Sequence, residues 1–203
     1  MDLQAHFGGI DIYLFDQILR RRIVPGDRIV DAGCGMGRNL VYFLREGYEV
    51  HAADADPDCI REVRMLAARL APGLPEANFH LEPLERMTFP ERFASVVISS
   101  AVLHFARDDA EFEAMLRGSW RVLAPGGLFF CRLASTIGLE SRVERLGSSG
   151  RRHRLPDGTT RYLVDEAMLM GLTRDLGGQL LDPLKTTVVQ DQRSMTTWVV
   201  RKD

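Results

Sequence analysis

The sequence predicts a doubly wound α/β fold whose seven-stranded sheet is mostly parallel and ends in an antiparallel hairpin. Three observations carry this. Apolar β-forming runs alternate with helix-period segments as far as Ala134, the pattern of parallel strands joined by crossover helices. A glycine-rich turn, "GCGMG" at residues 33–37, directly follows the first of those runs. Two β-rich segments close the chain, at residues 184–191 and 195–202, too near each other for a crossover and therefore antiparallel.

Each element has its own signal. Residues 11–23 read as an amphipathic helix stopped by Pro25 and Gly26. Residues 28–32 are a short buried strand, and residues 38–46 a helix ended by Gly47. The second strand is 48–54. The helix after it, 57–73, has Pro57 in its first turn and Pro72-Gly73 at its stop. Strands follow at 77–82 and 94–100, then a helix at 108–123, and the turn "APGG" leads into a fifth strand at 128–134. Residues 135–164 are rich in Gly, Ser, Arg and Pro and show no clear period; loops of that length are usually functional or mobile. A helix at 165–175 precedes the hairpin, whose first strand should run parallel to the other five and whose last should oppose them. The expected organisation is one domain over residues 1–203, with a helical cap at 1–25 and a lid insertion at 135–164.

Composition bounds the function. The 203 residues are 45% hydrophobic and 27% charged, as in a globular protein with a full core. A net charge of −2 gives no basic stripe, which argues against nucleic acid or an anionic membrane as partner. No apolar run approaches the roughly 18 residues of a membrane span, and no signal-peptide pattern opens the chain. Cys34, Cys59 and Cys131 are odd in number and scattered, without metal-site spacing, which points to a reducing cytoplasm and no metal. Oligomeric state is not legible.

A strand, a glycine turn and a helix place free backbone N–H groups and a positive helix end at the carboxyl edge of the sheet. Gly33, Gly35 and Gly37 allow positive φ and close approach of a ligand. Their spacing is GxGxG, not the GxGxxG of a dinucleotide site. Asp54 ends the second strand beside this turn, where a carboxylate can accept both hydroxyls of a ribose. Asp56, just before Pro57, reads as a helix N-cap.

In order and spacing, "VDAGCGMGRN", "VHAADADP", "FASVVISSAVLHF" and "RVLAPGGLFF" resemble the motifs of class I S-adenosylmethionine-dependent methyltransferases. The terminal hairpin resembles that family too, and "GRN" with the closing "TTWVVRK" looks more narrowly like small bacterial tellurite-resistance-type methyltransferases. The resemblance implies a Rossmann-like fold and S-adenosyl-L-methionine as cofactor. It implies that Asp31, Gly33, Gly35 and Gly37 frame the methionyl and ribose part, that Asp54 binds ribose, and that Ala55 lies against adenine. Where the family often has an Asp and a small residue over adenine, this chain has Pro83 and Leu84, so a carboxylate there is absent or displaced to Glu82 or Glu85. Ser99 and Ser100 would offer carbonyls to the methionyl ammonium. Arg38 either pairs with the methionyl carboxylate or is a solvated helix residue.

Methyl transfer from a sulfonium needs alignment and exclusion of water, and a base only for a nucleophile of high pKa. Acceptor groups should come from the N-terminal helix, the loop after strand four and the lid. His104 could take a proton or bond the acceptor, or pack. Tyr13 could cover the site or join the core. Arg132 ends strand five and so should point at the site. Arg151, Arg152 and Arg154 in the lid either select an anionic acceptor or form a solvated loop. The expected reaction is methyl transfer to a small polar or anionic molecule. The alternatives are a non-catalytic cofactor-binding module of the same fold and a nicotinamide-dependent oxidoreductase.

Overall fold

A computed structural model describes residues 2–147 and 150–203. The five strands expected first are present: β1 (Arg28–Ala32), β2 (Glu49–Asp54), β3 (Phe79–Leu81), β4 (Ala94–Ser100) and β5 (Leu123–Ala134). Between and around them run α1 (Leu3–Phe7), α2 (Ile12–Leu19), α3 (Val41–Arg45), α4 (Pro57–Leu70) and α5 (Asp109–Val122). In the third quarter of the chain come β6 (Glu144–Arg145), β7 (Arg152–Arg154), β8 (Thr160–Tyr162) and α6 (Glu166–Asp175). The chain then forms β9 (Gly178–Leu180), β10 (Lys185–Val189) and β11 (Arg193–Lys202).

The central sheet has the order β10-β11-β5-β4-β1-β2-β3, with β1 to β5 parallel. β11 opposes both β5 and β10, so β10 runs in the common direction and the last strand alone reverses, as the sequence implies. β9 adds a short antiparallel pairing to β11 beyond β10. Strand order reverses between β1 and β4, the switch point at whose carboxyl side such sheets bind ligands.

Side-chain alternation divides the core into two layers. Val30, Ala32, Phe129 and Leu133 face α5 residues Phe112, Leu116 and Trp120. Ile29, Val96 and Phe130 face Leu14 of α2, Phe43 of α3 and Val63 of α4 on the other side. Helices on both faces explain why β4 and β5 read as continuous apolar runs.

Among the boundaries that differ from the sequence reading, three have a clear local cause. Arg21 takes φ 55°, so α2 ends at Leu19 rather than Ile23. The helix after the glycine turn starts at Val41, because residues 38–40 still belong to the turn. β5 begins at Leu123, and the register jumps from Ala94–Leu123 to Val96–Leu128, so "APGG" is a bulge inside the strand. α1 is an additional short helix capped by Asp2.

The expectation of an irregular segment at 135–164 is also corrected. Its described residues contain a three-stranded antiparallel sheet, β6-β7-β8, and a parallel bridge from Ser135 to Val164. Leu155 and Leu163 pack with Ala134 into a small core of their own. Strands of two or three residues are too short to show a period. Ser148 and Ser149, part of the same segment, lie outside the described residues.

Candidate functional site

β1 carries Asp31 into the sheet and hands the chain to the glycine turn. The N–H groups of Gly33 and Cys34 both donate to the Ala53 carbonyl, at 2.8 and 3.2 Å, and tie the turn to β2. Gly33 has φ 82°, and a Cβ there would stand 2.5 Å from both Val102 methyls. Gly35 has φ 51° and open space on its Cβ side, which leaves backbone accessible at the turn. Its N–H donates to Asp54 Oδ2 at 2.8 Å, while Asp54 Oδ1 accepts the Asp56 N–H at 3.0 Å. The turn thus orients the Asp54 carboxylate. Ala55 follows it, exposed.

Asp31 is buried and its Oδ2 has no partner. Burial pushes its carboxyl up to about 7, against the pull of Arg38 and with the push of Asp54. A carboxylate in that position wants a cation, and the ammonium of a methionyl group is one. The Ser99 hydroxyl, buried in β4, also lacks a partner. The orphaned Asp31 oxygen, the open glycine face and Asp54 fit S-adenosylmethionine.

A residue outside the sequence-derived set joins the parts. Asp11, the N-cap of α2, is fully buried at its side chain. Its Oδ1 accepts the Tyr13 N–H at 3.0 Å. Its Oδ2 accepts Arg132 Nη1 at 3.0 Å and the Ser100 hydroxyl at 3.3 Å, with Arg38 Nη2 3.7 Å away. Arg38 Nη2 donates in turn to Ser100 Oγ at 3.0 Å, and Asn39 Oδ1 accepts the Asp11 N–H. Arg38 is therefore engaged at the site edge, neither free nor merely solvated. The sequence signal for Asp11 was an Asp before "IYLF", which reads only as a helix start.

Beyond β4 and β5 lies a cavity of about 290 Å³, bounded by Ala101 and His104, by Arg132, by the β7–β8 turn and by the terminal hairpin. Ala101 has φ 66°, and its N–H donates to the Arg132 carbonyl at 2.7 Å. The next residue, Val102, packs on Gly33, so this cavity adjoins the glycine turn. Arg132 lines the cavity and bonds Asp11. Tyr13 lies beside it, with its ring centroid 5.8 Å from the guanidinium carbon and its hydroxyl 3.0 Å from Thr187 Oγ1.

His104 is buried, and its Nδ1 accepts the Ala134 N–H at 3.2 Å, which puts the ring proton on Nε2. Burial, joined by the charge of Arg161, lowers its pKa to about 4. With Nδ1 occupied and Nε2 protonated it has no lone pair to take a proton. The general-base alternative for His104 is thereby removed; it can only donate.

The lid arginines also sort differently from the sequence reading. Arg151 Nη1 bonds Asp165 at 2.6 Å, Arg152 Nη1 donates to the Ala106 carbonyl at 3.2 Å, and Arg154 pairs with Glu144 at 3.3 Å on the surface. None of the three lines the cavity; Arg161 and Arg193 do. Arg161 also stands 4.9 Å over the Phe105 ring, docking β8 on the loop after β4. Leu84 is buried in the core on the α5 side, with its carbonyl where a Gly118 Cβ would be. Glu82 is occupied by the N–H and hydroxyl of Thr88.

A sheet reversing at β1/β4, a GxGxG turn, an acidic end to β2 and an antiparallel last strand together define the class I S-adenosylmethionine-dependent methyltransferase architecture. Residues 29–127, just under half of the chain, match the methyltransferase domain family. It is 30% identical over 107 residues to an uncharacterized methyltransferase of Synechocystis, covering 53% of this chain and 47% of that relative. The chain spans about half the length of the first curated relatives it matches. A Pyrococcus horikoshii protein of known structure superposes with TM-score 0.73 at 16% identity, over 100% of this chain and 97% of that one. The 1,6-didemethyltoxoflavin-N1-methyltransferase of Burkholderia thailandensis, solved with 1,6-didemethyltoxoflavin and S-adenosylhomocysteine, does so at 0.67 and 21%, over 99% and 81%.

Proposed function

We propose that this protein transfers a methyl group from S-adenosylmethionine to a small acceptor bearing negative charge, held in the cavity beyond β4 and β5. The observation that carries this is Arg132: it lies near the end of β5, bonds the buried Asp11 and lines the cavity with Arg161 and Arg193. Guanidinium groups lining a small cavity favour carboxylate, phosphate or other oxyanions.

The cofactor supplies an already activated methyl on a sulfonium. The protein's part is to bind, align and keep water out, work worth up to about 7–11 kcal/mol in well-oriented systems. Asp54 takes the ribose hydroxyls, Asp31 the ammonium, and Arg38 with Ser100 the methionyl end. Residues 135–164 act as a lid, with β7–β8 closing the cavity from above. The scale of the cavity supports a small molecule rather than a nucleic acid, in keeping with a net charge of −2. Buried free thiols at Cys34 and Cys131 support a reducing compartment such as the cytoplasm. Among the described residues no helix is long and apolar enough to cross a membrane.

Calorimetry with S-adenosylhomocysteine tests the cofactor half. Asp54→Ala strands two hydroxyls and should weaken binding by about 1–3 kcal/mol. Equal affinity of the variant would remove Asp54 from the site, and a melting shift with NAD in place of S-adenosylhomocysteine would favour the oxidoreductase alternative.

A further inference from the structure

The cavity is rich in donors and poor in bases. Among the described residues that line it there is no Lys, Tyr, Cys or Glu. Its one carboxylate, Asp157, accepts the Thr159 N–H at 2.9 Å and the Thr159 hydroxyl at 2.6 Å, bonds that lower its proton affinity. His104 presents Nε2–H, because the Ala134 N–H holds its other nitrogen. Three guanidinium groups, from Arg132, Arg161 and Arg193, complete the polar lining. Arginine cannot take up a proton.

We propose that this cavity takes an acceptor already ionised in solution, a carboxylate or an equally acidic enol or phenol, and that His104 is a hydrogen-bond donor to its oxyanion. This rests on the methyltransferase reading above. A neutral alcohol or ordinary phenol would have to lose a proton, and the one carboxylate in the lining, Asp157, is held weakly basic by its two bonds from Thr159. An amine would leave a cationic product facing three guanidinium groups, at a Coulomb cost that low-dielectric surroundings magnify. An ionised oxygen needs neither. Its lone pair forms the new O–C bond while the C–S bond breaks and that pair stays on sulfur; no proton moves. Negative charge on the acceptor is consumed in the step, as is the positive charge on sulfur, so the donors hold the reactant in line and release a neutral ester or ether.

The test uses 4-fluorobenzoate and its neutral isostere 4-fluorobenzamide as ¹⁹F NMR probes of the intact protein saturated with S-adenosylhomocysteine. The acid should bind at least about tenfold more tightly than the amide, and Arg161→Met should abolish that preference. With labelled S-adenosylmethionine, 4-fluorobenzoate should yield its methyl ester. At saturating cofactor, kcat/KM for the acid should be flat from pH 6 to 9. His104→Gln, which keeps an N–H donor, should lose less than about tenfold, against the roughly 10²–10⁴ that loss of a general base costs. Equal binding of acid and amide, binding of neither, binding without transfer, or a rising pH limb would each overturn the inference. Binding of S-adenosylhomocysteine is measured first. Its absence sinks the methyltransferase reading itself, whereas its presence with any of those outcomes sinks only the oxyanion acceptor.

Discussion

Burial lifts the Asp31 carboxyl to about 7 because its Oδ2 faces no donor and desolvation outweighs the attraction of Arg38. An acid whose folded pKa exceeds its unfolded 3.8 stabilises the fold fully below that lower value and loses the contribution as pH rises through about 7. The cofactor-free protein should therefore lose stability between about pH 4 and 7, by on the order of 4 kcal/mol from this residue. Asp31→Asn should flatten that slope in melting curves taken across the range. A cationic partner reverses the balance: S-adenosylhomocysteine binding near pH 6 should release a proton, visible as a calorimetric heat that depends on the buffer's ionisation enthalpy. The Asn variant should show no such dependence.

At the scale of elements, the loop after β4 and the glycine turn hold each other in place. Gly33→Ala adds a Cβ 2.5 Å from the Val102 methyls at a φ of 82°, two separate penalties. The cost should be about 1–3 kcal/mol in denaturant unfolding. Adding Val102→Ala should recover the steric part and leave the backbone part, so complete rescue would show that positive φ at Gly33 is not under strain. The lid arginines divide by partner. Arg151 bonds the N-cap Asp165 of α6 and should cost about 0.5–1 kcal/mol as alanine, whereas Arg154, exposed and paired with Glu144, should cost almost nothing. Equal melting temperatures for the two single variants would mean that the Arg151 bond does not anchor β7 to α6.

For the molecule as a whole, Asp11 is the point where the N-terminal segment, the glycine turn, β4 and β5 meet. Removing its carboxylate leaves Arg132 with a buried, unpaired end and α2 without its cap. Breaking a fully buried pair costs about 3–5 kcal/mol. Arg132 is 22% exposed, so Asp11→Ala should cost somewhat less, about 2–3 kcal/mol, in equilibrium unfolding. Asp11→Asn keeps the cap and loses the charge, and should fall between alanine and wild type. A variant as stable as wild type would show that water replaces the carboxylate at Arg132.

What the sequence by itself determined are features written in local chemistry. Alternating periods of strand and helix give the sheet order its raw material. Three glycines with positive φ give the turn, and the short gap after residue 191 leaves the last strand no route but antiparallel. Asp54 was legible because it ends a strand next to that turn in any such sheet. Only the tertiary structure decided what depends on partners far apart in the chain. Asp11 meets Arg132 across 121 residues, and His104 meets the Ala134 N–H across 30, which fixes its proton on Nε2 and makes it a donor. The same holds for the arginines: in sequence Arg151, Arg152, Arg154 and Arg161 form one cluster, but β7 and β8 run in opposite directions and face different neighbours. Arg151 and Arg152 are thereby spent on Asp165 and the Ala106 carbonyl, while Arg161 reaches the cavity. A charge's role is set by the counter-charge and solvent around it, and these exist only once the chain has closed on itself.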